Sequence, residues 1–280
     1  MRKIDGGEIA SRIIGRLKNT IPPAKFMAVF LIGDDPVSLS FINQKKEVAE
    51  VLGVDFRLYQ FPENIKNDEL RGRMRKVVSS KTCGAAIVQL PLPSHLNPYY
   101  ALNVIPREKD IDVLGERAIG AFYAGRNPVL PPSVGTIEEV LKETGIEATG
   151  KLKVAVVGPG MLVGKPAALW FLGKTPEIIV IDKGGDLADI KEADLIILGV
   201  GKPGLVDASM LKPDAGVIDF GYRISPDKKI KGDFDDEKHP SGHLKFYTPT
   251  PNGTGPILVA KLFENFYKLN GIDERQRKGI

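Results

Sequence analysis

The chain has 280 residues, 42% of them hydrophobic and 26% charged, with 39 basic against 35 acidic side chains and a formal charge of +4. That balance is ordinary for a globular protein and leaves room for one large domain or two smaller ones. It argues against a membrane-spanning protein, because no apolar run approaches the ~20 residues a bilayer requires, and a lone cysteine, Cys83, rules out an internal disulfide.

The opening segment, MRKIDGGEIASRIIGRL, has no apolar block followed by a small-residue cleavage site and reads as a first helix. Three short runs rich in apolar and β-branched residues follow: FMAVFLI (26–32), VDFRLYQ (54–60) and GAAIVQL (84–90). Each is expected to be a buried strand, with helices between them at about 37–52 and 67–80. Strands alternating with helices imply parallel βαβ units. Segment 91–135, with PLPSHLNP and LPPSVG, is rich in Pro and Gly and is expected to be active-site loops and a hinge. The alternation then restarts. LKVAVVG (152–158), EIIVID (177–182), ADLIILGV (193–200) and AGVIDFG (215–221) read as four parallel strands, with a helix at about 163–173. Segment 225–247 is polar and irregular, with a short hairpin expected. GPILVAKLFENFYKL (255–269) has an amphipathic pattern that puts Leu258, Leu262, Phe266 and Leu269 on one helix face. The densest basic cluster, Arg275–Lys278, is expected to be a solvated tail. No basic stripe is interleaved with aromatics, so a nucleic-acid partner is not expected, and no metal-ligand spacing surrounds Cys83.

Two regions carry chemistry. In the first, Asp35 suits an N-cap and Pro36 the first helical position. Ser38, Phe41, Lys45, Val48 and Leu52 then recur at spacings of three and four, sharing a face with Ile42 and Ala49. Lys46 falls on the opposite side with Asn43, Glu47 and Glu50. Lys45 therefore points inward, where desolvation lowers an amine's pKa and suits it to proton transfer; the alternative is a stem that snorkels over the core to reach water. Gln89 closes the strand before PLP, at the sheet edge where ligands of open parallel sheets gather. Asp112 follows in a loop, with a turn residue as its structural alternative.

The second region is VAVVGPGMLVGKP, a strand, a glycine turn and a helix start. Gly158 and Gly160 permit close backbone approach to a pyrophosphate, and the helix beginning near Gly164 offers free N–H groups and a positive dipole end. The spacing is GxGxxxG, and the flanking strand and helix are the context the motif needs. Asp182 ends the next strand, where a carboxylate accepts hydrogen bonds from ribose hydroxyls and repels a 2′-phosphate. These residues favour NAD over NADP.

Taken in order, the motifs resemble the methylenetetrahydrofolate dehydrogenase/methenyltetrahydrofolate cyclohydrolase family over nearly the whole chain. They are GDDPVSLSFINQKK, VQLPLP at 88–93, KDIDV at 109–113, VVGPGMLVGKP and TPTPNGTGPIL at 248–258. The resemblance implies an α/β protein: an N-terminal three-layer α/β catalytic domain (1–134, with a C-terminal helix in 255–280 packing back on it) and a C-terminal Rossmann domain with a parallel sheet (135–254). It implies oxidation of 5,10-methylenetetrahydrofolate with NAD or NADP, NADP being the family default, and hydrolysis of the methenyl product to 10-formyltetrahydrofolate. It makes Lys45 the catalytic lysine, Gln89 its partner and Asp112 the anchor for the pterin-type ring. Ser38, Phe41, Pro251, Gly255 and Pro256 fall to the substrate. Gly158, Pro159, Gly160, Gly164, Asp182 and Tyr222 fall to the cofactor. A homodimer joined through the Rossmann domain is implied as well, and the lone cysteine fits a cytoplasmic, reducing compartment.

The chain departs from the family pattern at several positions. Phe41 stands for a tyrosine, keeping the ring and losing the hydroxyl, which is expected to weaken proton handling in the cyclohydrolase step more than hydride transfer. Pro159 and Gly160 stand for an Arg-Ser pair, and Asp182 falls near a usual serine; both changes favour NAD. Val113 stands for a glycine, PPSV at 131–134 for PCTP, and Asn252 and Thr254 are expected to loosen the glycine-rich folate loop. Competing readings are a dehydrogenase with weak or absent cyclohydrolase activity, a two-domain dehydrogenase for another small acid, such as a shikimate-like substrate, and a non-catalytic folate- or nucleotide-binding protein.

Overall fold

The computed structural model describes residues 2–224, 229–238 and 243–271. Arg275–Lys278 and the end of the expected 255–280 segment lie outside the described residues. The chain begins with β1 (Arg2–Lys3) and α1 (Gly6–Lys18), then alternates β2 (Phe26–Ile32), α2 (Pro36–Leu52), β3 (Phe56–Phe61), α3 (Asn67–Val78) and β4 (Cys83–Val88). Helices α4 (Pro98–Leu102), α5 (Glu116–Tyr123) and α6 (Pro132–Thr144) lead to β5 (Lys153–Val157), α7 (Gly164–Phe171), β6 (Glu177–Ile181) and β7 (Leu195–Leu198). The remainder comprises β8 (Val206–Asp207), β9 (Gly216–Asp219), β10 (Arg223–Ile224), β11 (Ile230–Lys231), β12 (Phe234–Asp235), β13 (Phe246–Tyr247) and α8 (Thr254–Leu269).

Two compact units result: Ser11–Pro132 with Val259–Ile280, and Met1–Ala10 with Ser133–Leu258. We refer to them by their Lys45 and Gly158. The division differs from the expected domains at the N-terminus. Residues 1–10 go with the Gly158 unit because β1 pairs in parallel with β13 and the Gly6 N–H donates to the Asn252 carbonyl at 2.8 Å. Helices α1 and α8 each start in one unit and end in the other.

In the Lys45 unit the sheet order is β3-β2-β4, all parallel. Central β2 is buried at all seven positions, as its unbroken apolar run requires. Edge strand β3 exposes Arg57, Leu58 and Gln60. Helix α2 begins where the Asp35 carboxylate accepts the Ser38 N–H at 2.8 Å and ends at Gly53, whose φ of 66° is the left-handed turn that glycine adopts without strain. Its phase is as expected: Ser38, Ile42, Ala49 and Leu52 are buried, while Asn43, Lys46, Glu47 and Glu50 are exposed.

In the Gly158 unit six parallel strands run β1-β13-β9-β7-β5-β6. The chain leaves β5 for β6 on one side, then crosses to β7 and β9 on the other. The order reverses at β5, which puts a topological switch point at its carboxyl end. The core is the apolar centre of these strands, including Ala155, Val157, Ile196, Leu198 and Val217. The expected hairpin is the antiparallel β10–β11 pair, and β12 pairs in parallel with β8.

Two expectations need correction. Segment 91–135 contains α4, α5 and the start of α6 rather than loops alone. Within α6, Val134, Ile137, Val140 and Leu141 are buried at helical spacing; the Pro and Gly around it masked that period in the sequence. Helix α8 is not buried on one face only: every residue from Ala260 to Tyr267 is buried. Its polar residues are paired inside. The Asn265 amide donates to the Ile111 and Leu130 carbonyls at 2.9 and 2.8 Å, and Glu264 is ion-paired with Lys261, and with Lys268 and Arg16 at 3.6 and 3.5 Å.

Candidate active site

Lys45 sits on the inward face of α2, half-buried, and its Nζ donates to Gln89 Oε1 at 3.1 Å and to the Phe41 carbonyl at 3.4 Å. Gln89 is fixed from both sides. Its backbone N–H donates to the Phe30 carbonyl of β2 at 2.8 Å, and its Nε2 donates to the Leu90 carbonyl at 2.8 Å. The amide therefore turns its oxygen, not its nitrogen, to the lysine. The Phe41 ring lies 5.8 Å from the ammonium. Burial lowers the Lys45 pKa below its ordinary value, and the nearby Asp112 charge opposes that shift. Burial pushes Asp112 the other way, up to about 6, with Lys45 pulling it down and Asp110 adding to the rise.

Asp112 is presented by a loop organised around Asp110, which sequence reasoning passed over. Asp110 is buried, and its carboxylate accepts the N–H groups of Val113, Leu114 and Gly115 at 2.8, 3.0 and 2.8 Å. Its backbone bridges to Ala86 on β4, three residues before Gln89. The signal was present as the first aspartate of KDID; its short distance from a run of loop N–H groups was not.

The cofactor turn lies at the switch point. Gly158 has φ +86° and donates its N–H to the Ile181 carbonyl at 2.9 Å. A Cβ there would lie 2.8 Å from the Gly199 carbonyl oxygen. Gly164 opens α7, and a Cβ there would collide with the Gly158 carbonyl and Pro159 Cα, so only glycine lets helix and strand approach this closely. Gly160 is exposed with open space where its side chain would be. Bare backbone beside a helix N-terminus suits a pyrophosphate, so the residues present fit a dinucleotide. Asp182 is exposed at the end of β6, its Oδ1 accepting the Lys183 N–H at 2.7 Å. Tyr222 is half-buried just beyond β9.

The structure thus gathers Ser38, Phe41, Lys45, Gln89 and Asp112 in one unit. Pro251, Gly255 and Pro256 belong to the other, with Gly158, Pro159, Gly160, Gly164, Asp182 and Tyr222. Pro251 is exposed and follows a cis peptide bond; Gly255 and Pro256 are half-buried in the first turn of α8.

The family model for the tetrahydrofolate dehydrogenase/cyclohydrolase catalytic domain matches residues 4–112, and that for the family's NAD(P)-binding domain matches 131–273. The bifunctional protein FolD of Acetivibrio thermocellus is 32% identical over 275 residues, 95% of each chain. The chain belongs to the tetrahydrofolate dehydrogenase/cyclohydrolase family. The crystal structure of the Campylobacter jejuni FolD, a methylenetetrahydrofolate dehydrogenase/cyclohydrolase, has a TM-score of 0.91 at 28% identity, covering 99% of both chains. That of the Trypanosoma brucei enzyme, complexed with NADP cofactor and inhibitor, has a TM-score of 0.89 at 26% identity, covering 99% of this chain and 98% of its own.

Two departures from the pattern of the tetrahydrofolate dehydrogenase/cyclohydrolase family take on physical meaning here. Val113, where the family pattern has a glycine, has a left-handed backbone with φ 58°. For a β-branched residue that conformation costs about 1–3 kcal/mol, and its side chain is compensated by burial against Ala118 and Val129. Asn252 likewise has a left-handed φ of 72°, a conformation asparagine tolerates. In the 248–258 loop the Thr254 hydroxyl donates to the Asp219 carbonyl at 2.8 Å, and the Thr250 hydroxyl to the Gly221 carbonyl at 3.3 Å.

Adding one methyl tests the turn. Gly164→Ala is expected to destabilise the protein by about 1–3 kcal/mol through overpacking against backbone. Gly160→Ala, which has open space, is expected to change stability by less than about 0.5 kcal/mol. Urea unfolding midpoints of the two variants provide the comparison, and equal midpoints would remove the close approach at Gly164.

Proposed function

We propose that the protein oxidises 5,10-methylenetetrahydrofolate to the 5,10-methenyl compound with a nicotinamide cofactor, and hydrolyses that product to 10-formyltetrahydrofolate. The observation that carries this reading is the Lys45 ammonium held 3.1 Å from Gln89 Oε1, with Asp112 close enough to perturb its charge. The cofactor supplies the hydride acceptor when bound. Lys45, with its pKa lowered by burial, accepts a proton from water attacking the methenyl carbon and returns it to the departing nitrogen. Gln89 directs the amine without adding a charge that would restore its ordinary pKa. Asp112 holds the pterin-type ring by accepting hydrogen bonds from its N–H groups. Ser38 and Phe41 border the substrate, and Phe41 supplies an apolar ring face without a hydroxyl, leaving proton handling to Lys45.

NAD is the preferred cofactor in this reading. Asp182 offers a carboxylate to ribose hydroxyls and repels a 2′-phosphate, and neither Pro159 nor Gly160 supplies a cation or hydroxyl to bind one. Division of labour follows the two units, with folate chemistry on the first half of the chain and the dinucleotide on residues 135–254. A homodimer through the Gly158 unit is supported by β6, an edge strand whose Val180 is 49% exposed. No helix among the described residues is long and apolar enough to cross a membrane; the cytoplasmic assignment rests on the single free cysteine, which suits a reducing compartment.

The direct test is initial rates with methylenetetrahydrofolate and NAD or NADP at equal concentration. Turnover with a higher kcat/KM for NAD is expected; turnover with neither would sink the dehydrogenase reading, and an NADP preference would reverse the role given to Asp182. Lys45→Met is expected to lose both activities by at least about a hundredfold while keeping its melting temperature. Full activity in that variant would take Lys45 out of the mechanism. The Asp112 carboxyl, with a pKa pushed up to about 6, is ionised above that pH and protonated below it. The folate KM is therefore expected to rise as pH falls through about 6, and Asp112→Asn to abolish the rise. A folate KM independent of pH in the wild type would contradict the role of Asp112.

A further inference from the structure

Asp233 is fully buried and accepts three consecutive backbone N–H groups. Its Oδ2 takes those of Val200 and Gly201 at 2.6 and 3.1 Å, and its Oδ1 takes that of Lys202 at 2.6 Å. These three residues form the loop that leaves the carboxyl end of β7, beside the switch point. The loop abuts the cofactor turn directly: a Cβ on Gly158 would lie 2.8 Å from both the Gly199 carbonyl oxygen and Val200 Cγ2. A Cβ on Gly199 would lie 3.2 Å from Val163. With its N–H groups turned inward to a carboxylate, the loop directs the Val200 side chain, 46% exposed, and the bare Gly201 Cα outward.

A second buried aspartate supports the first. Asp219 ends β9 and accepts the N–H groups of Gly221 and Phe234 at 2.7 and 3.0 Å. The contacts are reciprocal. A Cβ on Gly221 would strike the Asp233 carboxyl, and a Cβ on Gly232 would strike the Asp219 carboxylate. Segments 219–221 and 232–234 are thereby clasped together, and Asp233 is left one orientation, toward the loop.

We propose that Asp233 is a positioning residue for the dinucleotide: by collecting the Val200–Lys202 N–H groups it sets the loop that forms one wall of the cofactor site. The proposal rests on the reading that this unit binds a nicotinamide dinucleotide. An unpaired run of N–H groups at a strand end is itself an anion-binding concavity. The internal carboxylate fills it, so the bound phosphates are directed to the Gly158–Gly164 turn and the loop contributes shape and an apolar contact.

The test is Asp233→Asn, which turns an amide N–H toward backbone donors, read by NADH fluorescence titration and by steady-state kinetics. The Kd for NADH and the KM for NAD are expected to rise about tenfold or more, as loss of charge-assisted hydrogen bonds predicts. The folate KM and the rate of methenyl hydrolysis, which uses no dinucleotide, are expected to stay within about twofold. Asp207→Asn, which alters a buried carboxylate paired with Lys238 and Ser209, is expected to leave all four quantities unchanged. Gly201→Ala approaches the loop from its other side, since Gly201 has φ +77° with open space at its Cβ, and is expected to weaken dinucleotide binding in the same selective way. Should Asp233→Asn fail to fold, Gly201→Ala carries the same readout. Dinucleotide binding within twofold of wild type in the folded variants, or an equal loss of folate binding and hydrolysis, overturns the assignment. A wild-type protein that binds neither NADH nor NADPH overturns the cofactor reading itself.

Discussion

A half-buried lysine held against a neutral amide oxygen is the interaction around which the candidate site is built. Half-buried on α2, Lys45 has its pKa lowered by burial from that of an amine in water. Gln89 supplies direction without charge, because its nitrogen is already committed to the Leu90 carbonyl and its oxygen must face the amine. Asp112 works against the shift, and its own carboxyl is raised by the same enclosure. The pair is coupled: the position of a proton on one group sets the affinity of the other.

In both units a buried aspartate organises a loop. Asp110 gathers Val113, Leu114 and Gly115, and Asp233 gathers Val200, Gly201 and Lys202. In each case a carboxylate satisfies N–H groups that a strand end or turn would otherwise leave unpaired in the interior. The arrangement lets a loop be rigid without regular structure. It also accommodates Val113, whose left-handed backbone is maintained by the N–H groups bonded around it and by its buried side chain.

Much of this could be read from residue order. Helical phase separated Lys45 from Lys46, because three- and four-residue spacing fixes which side chains share a face of α2. The parallel strands followed from short apolar runs alternating with helical patterns, and the glycine turn followed from its flanking strand and helix. Where the reading fell short, the competing signals were local. Pro and Gly around 91–135 hid α5 and α6. Asn265 and Glu264 broke the apolar pattern of α8 at positions that turned out to be buried and paired.

The sequence by itself determined the long central strands, the capped helix bearing Lys45, the turn at Gly158 and the family, because these depend on neighbours within a few residues or on motifs in fixed order; the two-residue strands β1, β8, β12 and β13 carry too few residues to show a period. Tertiary structure alone decided which groups meet across long separations. The Lys45–Gln89 bond spans 44 positions, the Asn265–Ile111 bond 154, and the Asp233 bonds to the β7 loop about 31 to 33. No periodicity reports such contacts, since each exists only where a buried polar group must find a partner and the packed sheet brings one within reach.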